Sequence, residues 1–250
     1  MKKDSKAYLI TYTLLITIIS GSLLAMASKG LESYKEANKK LELQKSIVNT
    51  FMELPKSSED IVKVYNKRVK NYVVNAQGEK IEGMKASAVN VGEEYSAKRE
   101  TPRRRHLPVY EIYGEDGKGG VLYYVFPLYG FGLWDVIWGY IALDAKDMNT
   151  IKGLVLAQKG ETPGLGARIS DKEIHERYTG KKIYDDKGQL QRVVMQRGEH
   201  QGYSIKHYKG QDHKVDGMSG ATITGNGVNT MFKEYLKLYD GFIQKKQQKK

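Results

Sequence analysis

Residues 131–158 read FGLWDVIWGYIALDAKDMNTIKGLVLAQ, and the way this stretch divides decides the fold. Two runs of β-branched, aliphatic and aromatic residues, WDVIWGYIAL and IKGLVLA, flank the polar segment DAKDMN. Runs of this length and texture favour strands, and a short polar link between two of them favours a hairpin. Trp134, Val136, Trp138 and Tyr140 alternate as one face of a strand would, and these aromatics are expected in the core. VYEIY (109–113), VLYYVF (121–126) and RVVMQ (192–196) have the same texture. Beyond them, Val228, Met231, Phe232, Tyr235 and Tyr239 recur at helical spacing and lead to Phe242. Upstream, residues 31–53 contain no Gly or Pro and place Leu41, Ile47, Val48 and Phe51 at roughly helical spacing. That segment predicts a stalk helix. Residues 56–108 are weakly patterned; Ile61, Val62, Val64 and Tyr65 suggest one further helix, and Gly78, Gly83 and Gly92 punctuate the rest of the region. The order helix, helix, strands, helix gives an α+β fold with a largely antiparallel sheet and flanking helices.

Residues 7–27, AYLITYTLLITIISGSLLAMA, contain no charge. Twenty-one helical residues extend about 30 Å, the thickness of a bilayer's hydrocarbon core. Lys2, Lys3 and Lys6 precede the segment, Lys29 closes it, and Tyr8 and Tyr12 suit the headgroup level. The rival reading is a cleavable signal peptide, for which Ala25-Met26-Ala27 supplies an A-x-A pattern. The apolar run exceeds the roughly 7–15 residues usual in such a peptide, which favours a retained anchor. Lys35, Lys39 and Lys40 make the positive-inside comparison ambiguous. Long domains translocate largely regardless of such charges, so an N-inside, body-outside arrangement is expected.

The 250 residues include no cysteine, which excludes disulfides, thiolate zinc sites, cysteine-held iron–sulfur clusters and cysteine nucleophiles. A net charge of +12 admits an anionic cofactor, an anionic membrane surface or nucleic acid. Its densest parts, Arg103-Arg104-Arg105 and the final KKQQKK, read as solvated surface. RRRH is followed by Leu-Pro rather than by interleaved aromatics, so nucleic acid is not expected as a partner. There is no G-x-x-x-x-G-K-[ST], H-E-x-x-H or G-x-S-x-G, and the G-x-G pairs at 164–166 and 225–227 lack a third glycine. The five histidines show no metal-ligand spacing and read mostly as surface residues. Neither a metal site nor a catalytic residue is expected.

What stands out is SGATIT at 219–224, inside VDGMSGATITGNGVNTMF. Gly217, Gly220 and Ala221 leave the backbone open to a large group, and Ser219, Thr222 and Thr224 offer hydroxyls. A helix beginning near Asn226 would turn its unpaired N–H groups towards this loop and favour a phosphate there. Thr224 or Asn226 could equally be an ordinary cap of that helix. Both roles use the same helix end.

The stretch DGMSGAT at 216–222 resembles the flavinylation motif D-x-x-(S/T)-G-A-T, whose last threonine carries FMN through a phosphoester bond. ETPGLGA at 161–167 is similar to the second loop of the FMN-binding domains of respiratory electron-transfer subunits, and FGLWDVIWGYIALD at 131–144 to the strand before it. With a single N-terminal span and this length, the chain resembles the C-subunit family of sodium-translocating NADH:quinone oxidoreductases. The resemblance implies a cytoplasmic stub at 1–6, a transmembrane helix at 7–27, a stalk helix at 28–55 and a helical or irregular segment at 56–109. An FMN-binding domain at 110–243 and a basic tail at 244–250 complete the division.

The resemblance also implies that Thr222 carries covalent FMN, with Thr224 the second choice of acceptor. Asp216, Ser219, Gly220 and Ala221 match what a separate flavin transferase, using FAD and a metal, would read. Glu161, Thr162, Pro163, Gly164, Leu165 and Gly166 match the loop beside the flavin, and Trp134 is a candidate to stack on its ring. Lys206 and His207 are basic candidates nearby. Ala167 and Arg168 end the loop differently from the family pattern, and Ile174-His175 stand where an aromatic is often found. The implied function is a bacterial inner-membrane subunit that relays electrons from NADH towards quinone among other subunits of a sodium pump, with its soluble domain outside. The G subunit of an Rnf-type ferredoxin:NAD oxidoreductase, which shares the motif, is the alternative. A non-redox, membrane-tethered binding module is the alternative of another class.

Overall fold

The structure, a computed structural model, describes residues 5–96, 105–200 and 208–248. Lys2, Lys3, Arg103, Arg104, Lys206 and His207 lie outside the described residues. The chain divides into two compact units, Met1–Leu43 and Gln44–Lys250. In the first, helix α1 (Lys6–Gly30) starts at Ser5, whose side chain accepts the Tyr8 N–H at 3.2 Å. None of its residues is buried, and it is long and apolar enough to cross a membrane. Thr11 and Thr17 donate their hydroxyls to the carbonyls of Ala7 and Thr13, at 2.9 and 2.8 Å. The helix thus satisfies these polar groups internally, as a bilayer interior requires. Helix α2 (Glu32–Asn49) follows after Leu31, where the stalk helix was expected.

The second unit is built on a six-stranded antiparallel sheet in the order β2-β1-β3-β4-β5-β6. After α3 (Ser58–Arg68), its strands are β1 (Val69–Val74), β2 (Lys80–Ile81), β3 (Leu107–Ile112), β4 (Tyr123–Phe131), β5 (Val136–Asp144) and β6 (Ile151–Gln158). The weakly patterned region before residue 109 therefore contributes, besides the expected helix α3 and a short helix α4 (Val91–Ser96), two strands the sequence does not announce. VKNYVV in β1 has no clean alternation because it is buried at both ends and exposed at Lys70 and Asn71. The DAKDMN segment joins β5 to β6 as a hairpin connection, as expected.

Helix α6 (Thr222–Gln248) covers one face of the sheet with Val228, Met231, Phe232, Tyr235, Tyr239 and Phe242, all buried. Phe126 of β4 meets Tyr239 and Phe242 at ring separations of 4.7 and 5.9 Å. The Tyr239 hydroxyl donates to the Pro108 carbonyl at 2.9 Å, so the buried ring keeps its polar atom paired. On the other face, the Tyr110 and Tyr140 rings meet edge-on at 6.3 Å, and the backbone at Thr50 sits so close to Gly153 that a Cβ there would fall 1.8 Å from the Thr50 carbonyl oxygen.

Covering on both faces explains where the aromatic reading of β5 fails. Ile137, Ile141 and Leu143 are fully buried, whereas Val136, Trp138 and Tyr140 on the alternate face are half-buried. Trp134 precedes the strand altogether and is 69% exposed. In a sheet packed on two sides, apolar residues fill both faces, so aromatic size does not mark the deeper one. Arg105 departs from the expected solvated surface: it is buried and donates to the Glu94 carbonyl.

Phe126→Ala removes the ring that α6 rests on and should lower unfolding free energy by about 3–5 kcal/mol. Urea denaturation followed by tryptophan fluorescence measures it.

Candidate functional site

After β6 the chain enters the ETPGLGA loop through Glu161, whose N–H donates to the Gln158 side chain at 2.8 Å. Leu165 N–H donates to the Thr162 carbonyl at 3.1 Å, and Gly164 has φ +75°. Pro163 and Gly164 thus occupy the two central positions of a type II turn, where proline's fixed φ and glycine's positive φ are each favoured. A 3-10 helix (Gly166–Ser170) and helix α5 (Lys172–Glu176) follow. Ile174 and His175, read from the sequence as occupying an aromatic's place, are buried. Nε2 of His175 lies 2.9 Å from both the Leu156 N–H and the Ile169 carbonyl, fastening the 3-10 helix to β6. Burial holds the His175 imidazole below its ordinary pKa, so it is neutral at pH 7.

The SGATIT loop has the same turn. Ala221 N–H donates to the Met218 carbonyl at 3.2 Å, with Gly220 at φ +73° in the third position. A Cβ on Gly220 would also lie 2.8 Å from Leu165 Cδ2, so the two loops touch here. A pair of two-residue strands, β7 (Val194–Met195) and β8 (Lys214–Val215), delivers the chain to this point. Asn229 of α6 fixes β7, accepting the Met195 N–H at 2.7 Å and donating to its carbonyl at 2.9 Å.

Helix α6 begins at Thr222, not near Asn226, so neither Thr224 nor Asn226 caps it. The Ala221 carbonyl accepts the first helical bond, from Gly225 at 3.0 Å, and the alanine at this cap position has no side-chain oxygen. The N–H groups of Thr222, Ile223 and Thr224 precede that first donor and point out of the helix end. Thr222 is exposed. Thr224, one half-turn on, is buried and donates its hydroxyl to Glu161 Oε2 at 2.5 Å.

Glu161 is only 5% exposed and gathers the site. Its Oε1 accepts the Trp134 N–H at 2.9 Å while Oε2 takes the Thr224 hydroxyl. Burial pushes its carboxyl up, but the Thr224 hydroxyl and the N–H groups of Trp134, Leu133 and Asp135 outweigh burial and hold it below the ordinary glutamate range. A Cβ on Gly132 or Gly166 would lie 2.4 Å from this carboxylate, so both positions need glycine.

Glu161, Thr162, Leu165, Gly166, Gly220, Ala221, Thr222 and Thr224 therefore line one open pocket of about 300 Å³, with Leu133 and Ile223. Pro163, Gly164 and Ser219 are exposed on the loops outside its lining, and Asp216 is fully buried beneath. Leu133, Trp134, Leu165 and Ile223 remain exposed around this region although all are large and apolar. The features fit a flavin nucleotide: free N–H groups and a hydroxyl for its phosphate, and uncovered apolar side chains for its ring.

Sequence reasoning did not find the groups that support the SGATIT loop. Glu199 accepts from both Arg168 and Arg177, and His200 binds Asp216. Their partners lie 16–31 residues away along the chain, and RGEH at 197–200 has no local signal.

The fold and this pocket define an FMN-binding domain: residues 132–237 match the family of that name. Over 243 residues the chain is 30% identical to the C subunit of the Na(+)-translocating NADH-quinone reductase of Neisseria meningitidis serogroup A, covering 92% of this chain and 89% of that protein. The corresponding Pseudomonas aeruginosa protein is 28% identical, covering 96% and 94%. The crystal structure of the Parabacteroides distasonis C subunit superimposes with a TM-score of 0.70 at 32% identity, over 85% of this chain and 96% of that one. Shewanella oneidensis NqrC gives 0.68 at 27%, over 85% and 99%. The chain belongs to the C-subunit family of the Na(+)-translocating NADH-quinone reductases. With α1, this membership describes a single-pass inner-membrane protein that works beside the other subunits of the complex.

The Arg168 guanidinium, with burial opposing and Arg177 assisting, holds the Glu199 carboxyl at about 2 against 4.5 unperturbed. A carboxylate depressed on folding contributes stability above its unfolded pKa and loses it as the pH falls through the folded one. Unfolding free energy should drop by about 3 kcal/mol from this group as the pH falls from about 4.5 to about 2. Chemical denaturation at stepped pH should show that acid limb reduced in Glu199→Gln.

Proposed function

We propose that Thr222 carries FMN covalently through a phosphoester and that the chain relays electrons from NADH towards quinone within the sodium-pumping complex. The observation that supports this best is the contrast between two threonines of one loop. Thr222 presents its hydroxyl at the mouth of the pocket, at a helix end with unfilled N–H groups, whereas the Thr224 hydroxyl is buried on Glu161. The acceptor of choice is therefore Thr222.

A threonine hydroxyl is a poor nucleophile unaided, and no base lies among the pocket's lining residues except Glu161, which Thr224 occupies. A separate flavin transferase fills that need. The Thr222 oxygen attacks the flavin-side phosphorus of FAD, the pyrophosphate bond breaks, AMP leaves and the hydroxyl proton passes to the transferase. Bound FMN supplies reversible one- and two-electron transfer. The chain's residues orient and expose it: the N–H groups of Thr222, Ile223 and Thr224 face the phosphate, and Leu133, Trp134, Leu165 and Ile223 offer apolar surface to the ring. A ring held by its phosphate, in an open pocket, stays accessible to donor and acceptor partners. We further propose that residues after α1 lie on the outer side of the membrane, since long domains translocate largely regardless of flanking charge.

Coexpression with a flavin transferase should give a fluorescent band after denaturing electrophoresis. Thr222→Ala should be dark, and Thr224→Ala should remain fluorescent if it stays folded. A fluorescent Thr222→Ala band would move the attachment elsewhere. A dark wild-type band, with the transferase active on a control, would refute the covalent reading.

A further inference from the structure

The strap at residues 196–200 lies beneath the SGATIT loop and outside the pocket, and it belongs to neither of the two loops. A Cβ on Gly217 would fall 2.1 Å from the Gln196 carbonyl oxygen and 2.4 Å from that of Gly198, so strap and loop are in backbone contact. Two consecutive strap residues grip the loop at two points. His200 takes the buried Asp216 carboxylate, its N–H on Oδ2 at 2.7 Å and its Nδ1 on Oδ1 at 2.8 Å. Glu199 Oε2 accepts the N–H of Ser219 at 3.0 Å.

The Glu199 carboxylate is also the meeting point of two arginines. Arg168, the residue directly after ETPGLGA, binds it in parallel with Nη1 and Nη2, each at 2.7 Å. Arg177, buried on α5's C-terminal side, donates Nη2 to Oε1 at 2.7 Å and Nη1 to the carbonyls of Asp216, at 3.3 Å, and Gly217. One carboxylate thus joins the chain leaving the first loop, the backbone of the second loop, and the side chain that holds the carbonyls preceding its turn. Paired, hydrogen-bonded charges of this kind favour one geometry, because leaving it forfeits several charge-assisted bonds at once.

We infer that Glu199 is a positioning residue for flavin attachment: by binding the Ser219 N–H and the two arginines, it sets the turn Met218–Ala221 that presents Thr222. The inference rests on Thr222 being the flavin acceptor. Glu199 itself touches neither the pocket nor the acceptor.

Ser219 offers a selective test because of its place in the turn. It is the second residue of a type II turn, where proline is well accommodated and the N–H takes no part in the turn. Ser219→Pro therefore removes the N–H contact with Glu199, together with the hydroxyl, and leaves every ion pair standing. Ser219→Ala keeps the N–H and removes the hydroxyl. Amide hydrogen exchange is measured on the full-length, flavin-free chain in detergent, and flavin loading is then timed with transferase and FAD. Exchange of the two bonded amides here, Ala221 on the Met218 carbonyl and Gly225 on the Ala221 carbonyl, should rise at least about tenfold in Glu199→Gln and Ser219→Pro, with β4–β6 unchanged and Ser219→Ala at the wild-type rate. Loading should slow by a similar factor in Glu199→Gln, which leaves the motif read by the transferase intact. Should Glu199→Gln fail to fold, although Arg177 keeps Glu173 and Arg168 keeps Asp171, exchange in Ser219→Pro decides alone, because Ser219 also belongs to the motif the transferase reads. Wild-type exchange in Ser219→Pro, a rise spread evenly over β4–β6, or unchanged loading despite a loosened loop would each overturn the inference. A wild-type chain that takes no flavin from an active transferase would instead sink the acceptor reading, and exchange alone would still judge whether Glu199 sets the turn.

Discussion

A single buried carboxylate holds the pocket together. Glu161 draws in the backbone at Trp134, ahead of β5, and the hydroxyl of Thr224, in the first turn of α6. Three segments far apart in sequence meet because removing this charge from water is costly unless hydrogen bonds replace the lost hydration. Gly132 and Gly166 are the steric counterpart of the same constraint, since a side chain at either would occupy the carboxylate's place. Breaking one of these contacts leaves the others facing an undersolvated charge, so the pocket forms as a unit.

Glu161 and Glu199 divide the support of the SGATIT segment between them. Glu161 fixes the helix start from the pocket side through a side-chain hydroxyl, and Glu199 fixes the turn before it through a backbone N–H. Between these two anchors lie Gly220, Ala221, Thr222 and Ile223: two small residues, one exposed hydroxyl and one exposed apolar side chain. The small, polar composition of the loop therefore does not imply a loose loop: its two ends are held by charged groups, and its middle is left bare for a group approaching from outside.

The sheet's central strands and the buried face of α6 were legible because their patterns are local: hydrophobic runs, a polar hairpin link, a 3.6-residue repeat. The three blocks that mark the site were legible as motifs. β1 was not, since its burial comes from pairing with β3 rather than from its own alternation. Trp134 was misassigned because a tryptophan just before a strand reads like the strand's first residue, while its actual position is set by the Glu161 contact 27 residues on. The Glu199 network was invisible for the same reason, as its meaning lies entirely in distant partners.

The start of α6 shows how much such a boundary can decide. Successive residues of an α-helix turn by about 100°, so positions two apart point to nearly opposite sides. With the helix beginning at Thr222, Thr222 and Thr224 must part company, one outward and the other onto Glu161. Had it begun near Asn226, both threonines would sit in a loop and their side chains could share one side. The SGATIT sequence offers two chemically equal hydroxyls, and what distinguishes them is the four residues by which the helix extends back into the motif. Gly225 and Gly227 are poor helix formers at this point, yet a Cβ would lie 3.0 Å from the Met195 sulfur at one and 2.3 Å from the Phe131 carbonyl oxygen at the other. At Gly227 only glycine lets the helix pass so close to the β4 backbone, at Gly225 it spares the Met195 side chain a shift, and that close passage is what brings Thr224 within reach of Glu161.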